Sequence, residues 1–153
     1  ERFNTIMEDT LLIRMDEADW KLGYCKDDPV RPHLPLAWRA TEGRQVFGLE
    51  EEGDIQAIVC VAYCKDIPLT EKELDELSTP DGEYAVFYTV WSYKKGAGRQ
   101  MVLDTAKHLK EARGINHFVT LSPLTQMAER FHTRNGAKLL KRGEECQNFE
   151  YKL

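Results

Sequence analysis

Stretches rich in β-branched and aromatic residues alternate along this chain with stretches of helical periodicity. Residues 45–49 and 55–63 have the composition of strands, and the acidic turn with Gly53 between them predicts a hairpin. A longer apolar run over 83–91, rich in Tyr, Val and Phe, predicts the longest strand. Residues 9–24 combine a short apolar run with a possible helix, and the proline-rich stretch 27–36 predicts an irregular loop.

Helical periodicity is clearest in the second half of the chain. Val102, Ala106 and Leu109 share one face of a helix that is predicted from about residue 98 to residue 113. A second amphipathic helix is predicted over 125–134. Earlier in the chain, Thr70 with a glutamate three residues later forms a capping-box pattern, which predicts a short helix.

The remaining apolar segments complete a mixed order of elements. Short strands are predicted at 118–121, 137–141 and 147–151. The order β-β-α-β-α-β-α-β-β predicts one α+β domain over residues 1–153, with helices packed on a mixed, mostly antiparallel sheet. Strand 84–91 runs parallel to strand 118–121 across a β-α-β crossover. If the two are adjacent, their carboxyl ends border one crevice, where such sheets tend to bind ligands.

A basic, glycine-containing turn leads from the longest strand directly into a helix. Gly96 and Gly98 allow unusual dihedral angles and a close approach of the backbone to a ligand. Backbone N–H groups at a helix N-terminus favour an anion, and Lys94, Lys95 and Arg99 add positive charge there. The turn therefore predicts a phosphate or pyrophosphate site, with a plain strand-to-helix connection as the alternative.

Composition limits the classes of function. The 153 residues are 42% apolar and 31% charged, which is typical of a soluble globular protein. A net charge of −5 argues against a nucleic-acid partner, and no apolar run approaches the roughly 20 residues that span a membrane. Cys25, Cys60, Cys64 and Cys146 lack metal-ligand spacing, so we expect no metal and reduced thiols in a cytoplasm. Cys60 and Cys64 lie in an apolar run and are expected in the core.

Two motifs resemble those of the GNAT superfamily of acyl-CoA-dependent N-acyltransferases. The family's pyrophosphate loop reads Gln/Arg-x-x-Gly-x-Gly/Ala, and Tyr93-Lys94-Lys95-Gly96-Ala97-Gly98 fits its spacing with Tyr93 as the departure. The family's next motif is Asn-x-x-Ala-x-x-Phe-Tyr-x-x-x-Gly-Phe. Residues 125–137 match it at Ala128, Phe131 and Gly136, while Thr125 replaces the Asn and His132 replaces the Tyr. The resemblance covers about residues 45–153.

The resemblance implies acetyl-CoA or another acyl-CoA as co-substrate, without a metal. An amine of a small molecule or peptide would attack the thioester directly, and His132 would protonate the departing CoA thiolate. The chain is then expected to act in the cytoplasm, with a monomer and a homodimer both left open. The implied cofactor-binding residues are Tyr88, Thr89, Val90, Trp91, Lys94, Lys95, Gly96, Ala97, Gly98, Arg99, Thr125 and Phe131. Glu83 or Tyr88 could supply a base or an orienting group.

A narrower resemblance concerns Leu121-Ser122-Pro123 and the segment Phe-His-Thr-Arg-Asn-Gly-Ala over 131–137. Both are similar to segments in the catalytic core of malonyl-CoA decarboxylases. That match implies Ser122 and His132 as a catalytic pair. Plainer alternatives stay open: Ser122 as a helix cap, His132 as a structural histidine, and a non-catalytic CoA-binding or purely structural domain.

Overall fold

A computed structural model of the chain describes residues 2–4 and 10–153. Its strands are β1 (Arg2–Asn4), β2 (Thr10–Met15), β3 (Arg44–Glu51), β4 (Asp54–Cys64), β5 (Tyr84–Ser92), β6 (His117–Thr120), β7 (Ser122–Pro123), β8 (Lys138–Arg142) and β9 (Cys146–Tyr151). Its helices are α1 (Leu36–Ala40), α2 (Glu71–Leu77), α3 (Ala97–Arg113), α4 (Gln126–Arg134) and a 3-10 helix at Trp20–Asp27. In this part of the chain, no helix combines the length and the apolar character that a bilayer crossing demands.

All the strands belong to one sheet. Its order is β1-β2-β3-β4-β5-β6-β9-β7, with β8 also paired to β9. Every neighbouring pair is antiparallel except β5 and β6, which are parallel. The predicted α+β fold with a mixed, mostly antiparallel sheet is thus confirmed, and the two strands of the crossover are adjacent.

Helices cover both faces of the sheet, and each face has its own apolar core. On one face, Met101 and Val102 of α3 pack with Phe149 and Tyr151 of β9. On the other face, Leu22, Cys25 and Leu74 from the 3-10 helix and α2 pack against β4 and β5. All four cysteines are free and buried, which confirms the core positions expected for Cys60 and Cys64. We call the first of these the α3 face and the second the α2 face.

Local signals in the sequence account for where several elements begin and end. Glu52 and Gly53 both have positive φ, 50° and 86°, as the tight β3–β4 hairpin turn requires. The Thr70 side chain accepts a hydrogen bond from the Glu73 N–H and caps α2. Gly114, at φ 68°, ends α3 in the left-handed conformation.

Three short elements differ from the sequence-based prediction. The apolar run in 9–24 is strand β2, and the predicted helix there is the 3-10 helix, which extends to Asp27; Asp9 lies outside the described residues. Helix α1 was not predicted, because it has only five residues and its N-cap, Pro35, offers no side-chain hydrogen bond. The strand predicted at 118–121 is interrupted at Leu121 and resumes as β7.

Candidate functional site

Strands β5 and β6 stop pairing part-way along β5, and we call the opening between them beyond that point the cleft. The two strands pair in parallel as far as Phe87 and Thr120. The Leu121 N–H still donates to the Phe87 carbonyl at 3.1 Å, and beyond this point β5 has no partner on its β6 side among the paired strands described. Residues 88–92 of β5 therefore form an open strand edge that faces the cleft.

A β-bulge in β5 marks the start of the cleft. Cys60 of β4 lies opposite Thr89, whereas the next residue, Val61, lies opposite Phe87. Tyr88 is therefore the extra residue of the bulge. A bulge bends its strand and increases the local twist, which explains why β5 turns away from β6 at this position.

Only some backbone groups of the open edge face the cleft. The Tyr93 N–H donates to the Gln56 carbonyl on β4 at 2.8 Å. Because strand residues alternate in direction, Val90 and Ser92 turn their backbone polar groups the other way, toward the cleft. Ser92 was not among the predicted cofactor-binding residues, whose part on β5 ended at Trp91. The Trp91 side chain is nearly buried, and its Nε1–H donates to the Tyr93 hydroxyl at 3.0 Å.

The turn after β5 presents an uncapped helix N-terminus beside the cleft. Gly96 adopts the left-handed conformation, at φ 84°, and no side chain caps α3. The first-turn N–H groups of Gly98 and Arg99 therefore have no partner within the helix. A Cβ atom on Gly98 would lie 3.2 Å from Cε1 of Phe131, so this glycine lets α3 and α4 come close. The two sequence motifs thus meet in space.

Two of the three basic side chains predicted at this turn have partners within the fold. The Lys94 ammonium lies 2.6 Å from Glu51, and a guanidinium nitrogen of Arg99 donates to the Asn135 side chain at 3.2 Å. The predicted positive charge is present at the turn, but these two side chains already have partners within the fold. The Tyr93 hydroxyl donates to Asp27 at 2.7 Å and so ties the turn to the 3-10 helix. Lys95 is exposed on the same turn.

His132 is a buried histidine on α4, with only 5% of its surface exposed. Its Nδ1 atom lies 2.7 Å from the hydroxyl oxygen of Tyr151, and its ring stacks on Phe149. Burial lowers the pKa of the imidazole to about 4. The ring is therefore neutral near pH 7, and among the described hydrogen bonds none involves its Nε2 atom.

Ser122 is also buried, on strand β7. Its hydroxyl donates to the Thr120 hydroxyl oxygen at 2.7 Å, and that oxygen also accepts from the Phe149 N–H at 3.0 Å. The cap of α4 is Thr125, which accepts from the Ala128 N–H, so the alternative role of Ser122 as a helix cap was wrong. Thr125 itself, predicted to bind cofactor, has this structural task.

Ser122 and His132 lie over the same strand and on the same face of the sheet. Ser122 pairs with Gln147 of β9, while His132 contacts Phe149 and Tyr151 further along that strand. Residues 147, 149 and 151 alternate onto one face. Among the described hydrogen bonds, none joins Ser122 directly to His132.

A buried arginine at the cleft is the principal site residue that the sequence did not indicate. The Arg31 guanidinium donates to the Tyr88 carbonyl and, at 3.3 Å, to the Thr89 hydroxyl. It also reaches Cys146 Sγ at 3.6 Å and pairs with Glu71 at 3.2 Å. The Tyr88 carbonyl is therefore already engaged, which corrects its predicted role as a free strand group for a cofactor.

A second buried arginine holds the Arg31 loop. Arg39 pairs with Asp28 at 2.7 Å, with both side chains fully buried, and donates to the Arg31 carbonyl at 2.6 Å. The other oxygen of Asp28 accepts from the N–H groups of Val30 and Arg31. The proline-rich segment carried no recognisable motif, so only the fold reveals that it lines the cleft.

The two other predicted polar groups do not act together in the cleft. Glu83 is exposed and directly precedes β5, at the end of the strand opposite the cleft, so it is not placed to supply the base for which it was considered. Tyr88 is buried, its hydroxyl has no hydrogen-bond partner among the described residues, and desolvation raises its pKa well above the ordinary value. Its ring packs edge-on against Trp38.

Comparison with known proteins identifies the fold. No model of a known family matches the sequence, and no curated protein matches it. The loading GNATL domain of CurA from Lyngbya majuscula has a TM-score of 0.70 at 15% identity, covering 94% of this chain and 97% of that domain. An acetyltransferase from Bacillus subtilis in complex with CoA has a TM-score of 0.62 at 12% identity, covering 93% and 97%.

A malonyl-CoA decarboxylase is also similar. The enzyme from Cupriavidus metallidurans has a TM-score of 0.59 at 17% identity, covering 82% of this chain. The chain spans 33% of the length of that decarboxylase. At these identities the likeness shows the fold: the chain has the GNAT fold that its two motifs indicated.

Proposed function

We propose that this chain is an acyl-CoA-dependent acyltransferase that moves an acyl group from CoA to an amine. The observation that carries the proposal is the uncapped N-terminus of α3 beside the open edge of β5. A free helix N-terminus suits a pyrophosphate, and an open strand edge suits the amides of an extended pantetheine arm. These two features lie next to each other at one end of the cleft.

The binding assignment follows from which groups are free. The N–H groups of Gly98 and Arg99 hold the pyrophosphate, with the Lys95 ammonium nearby. The backbone of Val90 and Ser92 pairs with the pantetheine arm. The Lys94 ammonium pairs with Glu51, and the Arg99 guanidinium donates to Asn135. These two contacts fix the turn in place.

His132 acts as a neutral hydrogen-bond donor. Burial also raises the pKa of Tyr151, so its hydroxyl keeps its proton and is able to donate to Nδ1 of His132. We assign this hydroxyl as the donor. That assignment leaves the proton of the neutral ring on Nε2. The amine nitrogen attacks the thioester carbon, the C–N bond forms and the C–S bond breaks. The Nε2–H stabilises the departing thiolate, which is finally neutralised by the proton that the nitrogen loses.

Incubation with acetyl-CoA and a panel of amines, followed by mass spectrometry, tests the proposal. We expect an acetylated amine and free CoA, with turnover about a hundredfold lower in His132→Gln. The control is His117→Gln. His117 is exposed at the start of β6, beside the end of β5 that lies away from the cleft. CoA binding without transfer to any amine would contradict the proposal and leave a non-catalytic CoA-binding module.

Decarboxylation of a malonyl-type thioester is a second candidate, and Arg31 is the observation that favours it. A buried guanidinium at the cleft is suited to a carboxylate, and Arg31 has more N–H donors than the contacts described use. In this reaction the carboxylate leaves as CO₂, and the resulting enolate takes a proton to give acetyl-CoA. Ser122 and His132, on one face of β9, are the groups placed to assist.

The two candidates differ in their need for an amine. Malonyl-CoA incubated alone with the protein should stay intact if the chain is only an amine acyltransferase. Its conversion to acetyl-CoA, with loss of this activity in Arg31→Gln, would favour the decarboxylase. Arg14→Gln is the matched control, because Arg14 is a partly exposed arginine on β2 whose ion pair with Asp16 lies outside the cleft.

A further inference from the structure

The turn between β5 and α3 is held at its ends, because little packs against its middle. Residues 94–96 are exposed. Beyond its chain neighbours, no atom of the described fold lies within 4 Å of the position that a Cβ atom on Gly96 would take. The Lys94–Glu51 ion pair supports the turn from the solvent side, where such pairs are weak. Since glycine also has unusual conformational freedom, the place of this turn depends on the residues that flank it.

Tyr93 is the flanking residue on the strand side, and three hydrogen bonds hold it. Its N–H donates to the Gln56 carbonyl at 2.8 Å. Its hydroxyl donates to the Asp27 carboxylate at 2.7 Å and accepts from Trp91 Nε1–H at 3.0 Å. Desolvation raises the pKa of Tyr93 to about 12, so the hydroxyl keeps near pH 7 the proton that it donates. Both the backbone and the side chain of Tyr93 are therefore fixed.

Asp27 is exposed, but the segment that carries it is firmly anchored. It ends the 3-10 helix, which packs on the α2 face, and the next residue, Asp28, is buried. The Asp28 carboxylate pairs with Arg39 at 2.7 Å. It also accepts from the N–H group of Arg31 at 2.8 Å. Two adjacent carboxylates thus hold two borders of the cleft: Asp27 holds the turn, and Asp28 holds the loop that carries Arg31.

The Tyr93 hydroxyl has no proton left for a ligand. Tyr93 occupies the position at which the family's pyrophosphate loop has Gln or Arg, whose side chains carry several N–H donors. A phenol has a single O–H, and in this fold that proton lies on Asp27. Tyr93 is therefore suited to place the turn and is not suited to donate to a phosphate.

We propose that Tyr93 is a positioning residue for the CoA pyrophosphate, and that it acts through its hydrogen bond to Asp27. This contact holds the turn so that the N–H groups of Gly98 and Arg99 are in place before the anion arrives. A site that is already ordered loses less conformational freedom on binding, which raises its affinity. This role rests on the CoA site proposed above. The pantetheine arm is assigned to β5, outside the turn, so its binding does not depend on the contact.

The charge of Asp27 separates positioning from a purely electrostatic effect. CoA is an anion, and a carboxylate beside its site repels it. If charge alone mattered, Asp27→Ala would bind CoA more tightly. If Asp27 acts by holding Tyr93, the same variant binds CoA more weakly. Asp27→Asn removes the charge but keeps a side-chain oxygen that can accept from the hydroxyl, so it isolates the hydrogen bond.

Calorimetric titration of the protein with CoA, and separately with pantetheine, tests this role without requiring turnover. The variants are Tyr93→Phe, Asp27→Ala and Asp27→Asn. The matched control is Tyr24→Phe, which removes a hydroxyl from the half-buried ring that packs edge-on against Tyr93, with 6.0 Å between the ring centroids. Among the described hydrogen bonds, the hydroxyl of Tyr93 is the one that reaches Asp27, and that of Tyr24 takes no part.

We expect CoA affinity to fall about tenfold in Tyr93→Phe and in Asp27→Ala, and to change less than about threefold in Asp27→Asn and Tyr24→Phe. Combining Tyr93→Phe with Asp27→Ala should lower the affinity no further, because both changes remove the same hydrogen bond. Pantetheine affinity should be unchanged in every variant, which also shows that the cleft is still folded.

Three results would overturn the role of Tyr93: unchanged CoA affinity in Tyr93→Phe, tighter CoA binding in Asp27→Ala, or an equal loss of affinity for pantetheine. If CoA binding depends on Tyr93 but the wild-type protein transfers no acyl group to any amine, the proposed acyl transfer alone is contradicted. If the wild-type protein does not bind CoA, both are contradicted.

Discussion

The Nδ1 atom of His132 lies 2.7 Å from the hydroxyl oxygen of Tyr151, and this contact joins α4 to β9 inside the core. It fixes the orientation of the imidazole, while burial keeps the ring neutral. The arrangement that orients His132 in the proposed reaction therefore also makes the ring costly to protonate. Both consequences can be measured without knowing the substrate.

Stability should depend on pH through His132. Its pKa is about 4 in the fold against an ordinary value of 6.5, so the unfolded chain takes up a proton first as the pH falls. The contribution of the neutral His132 ring to the free energy of unfolding is complete above pH 6.5. It is lost progressively as the pH falls toward 4, by up to about 3 kcal/mol. Urea unfolding across this range should show the slope in the wild-type protein and a flatter profile in His132→Gln. Identical profiles would contradict the assignment.

The His132–Tyr151 contact should be measurable as an energetic coupling. Tyr151→Phe removes the hydroxyl and leaves Nδ1 of a buried ring unpaired, so we expect a loss of about 1–2 kcal/mol of unfolding free energy. A double-mutant cycle with His132→Gln isolates the pair. A coupling near zero would mean that the two side chains are merely neighbours.

The buried ion pair behind the Arg31 loop should matter far more than an exposed one. Asp28→Asn keeps an oxygen for the loop N–H groups but leaves the Arg39 guanidinium without its carboxylate. We expect a loss of about 3 kcal/mol, because an unpaired buried charge is strongly destabilising. Glu129→Gln is the control, since its pair with Arg142 is half-exposed and should contribute less than about 1 kcal/mol. Similar losses in the two variants would argue against this reading of the loop.

Gly82 should be irreplaceable for a steric reason. A Cβ atom there would lie 2.4 Å from the backbone nitrogen of Cys64, which cannot move without disturbing β4. Gly82→Ala should therefore lower the unfolding free energy by about 2 kcal/mol or more. Gly23→Ala is the matched control, because nothing lies within 4 Å of its Cβ position. Chemical denaturation of the two variants gives the comparison, and equal stabilities would show that the Tyr63–Cys64 backbone yields.

The sequence predicted most of the framework because its strongest signals are local. The strand-rich runs, the Thr70 cap and Gly114 each specify a nearby element without help from the rest of the fold. The order of those elements then constrains the sheet. It was enough to predict that β5 and β6 run parallel and are joined by α3.

The site was less predictable because its decisive features are not local. The bulge at Tyr88 depends on how β5 pairs with β4, and no residue type in the sequence predicts it. Arg31 enters the cleft from a loop that lies 57 residues before Tyr88 in the chain. The pairing of Lys94 was not predicted, because its partner, Glu51, is contributed by a distant hairpin. Charge clusters in a sequence show where cations are, but the fold decides which of them are already paired.

The central claim is that CoA binds with its pyrophosphate on the N-terminus of α3 and its pantetheine arm along β5. The most direct test is a titration of the ¹⁵N-labelled protein with CoA and, separately, with pantetheine, followed by amide NMR. We predict that CoA shifts the amides of Gly98 and Arg99 together with those of Val90 and Ser92. Pantetheine should affect only the β5 pair. If CoA produces no saturable shift at Gly98 and Arg99, the account of this cleft is contradicted.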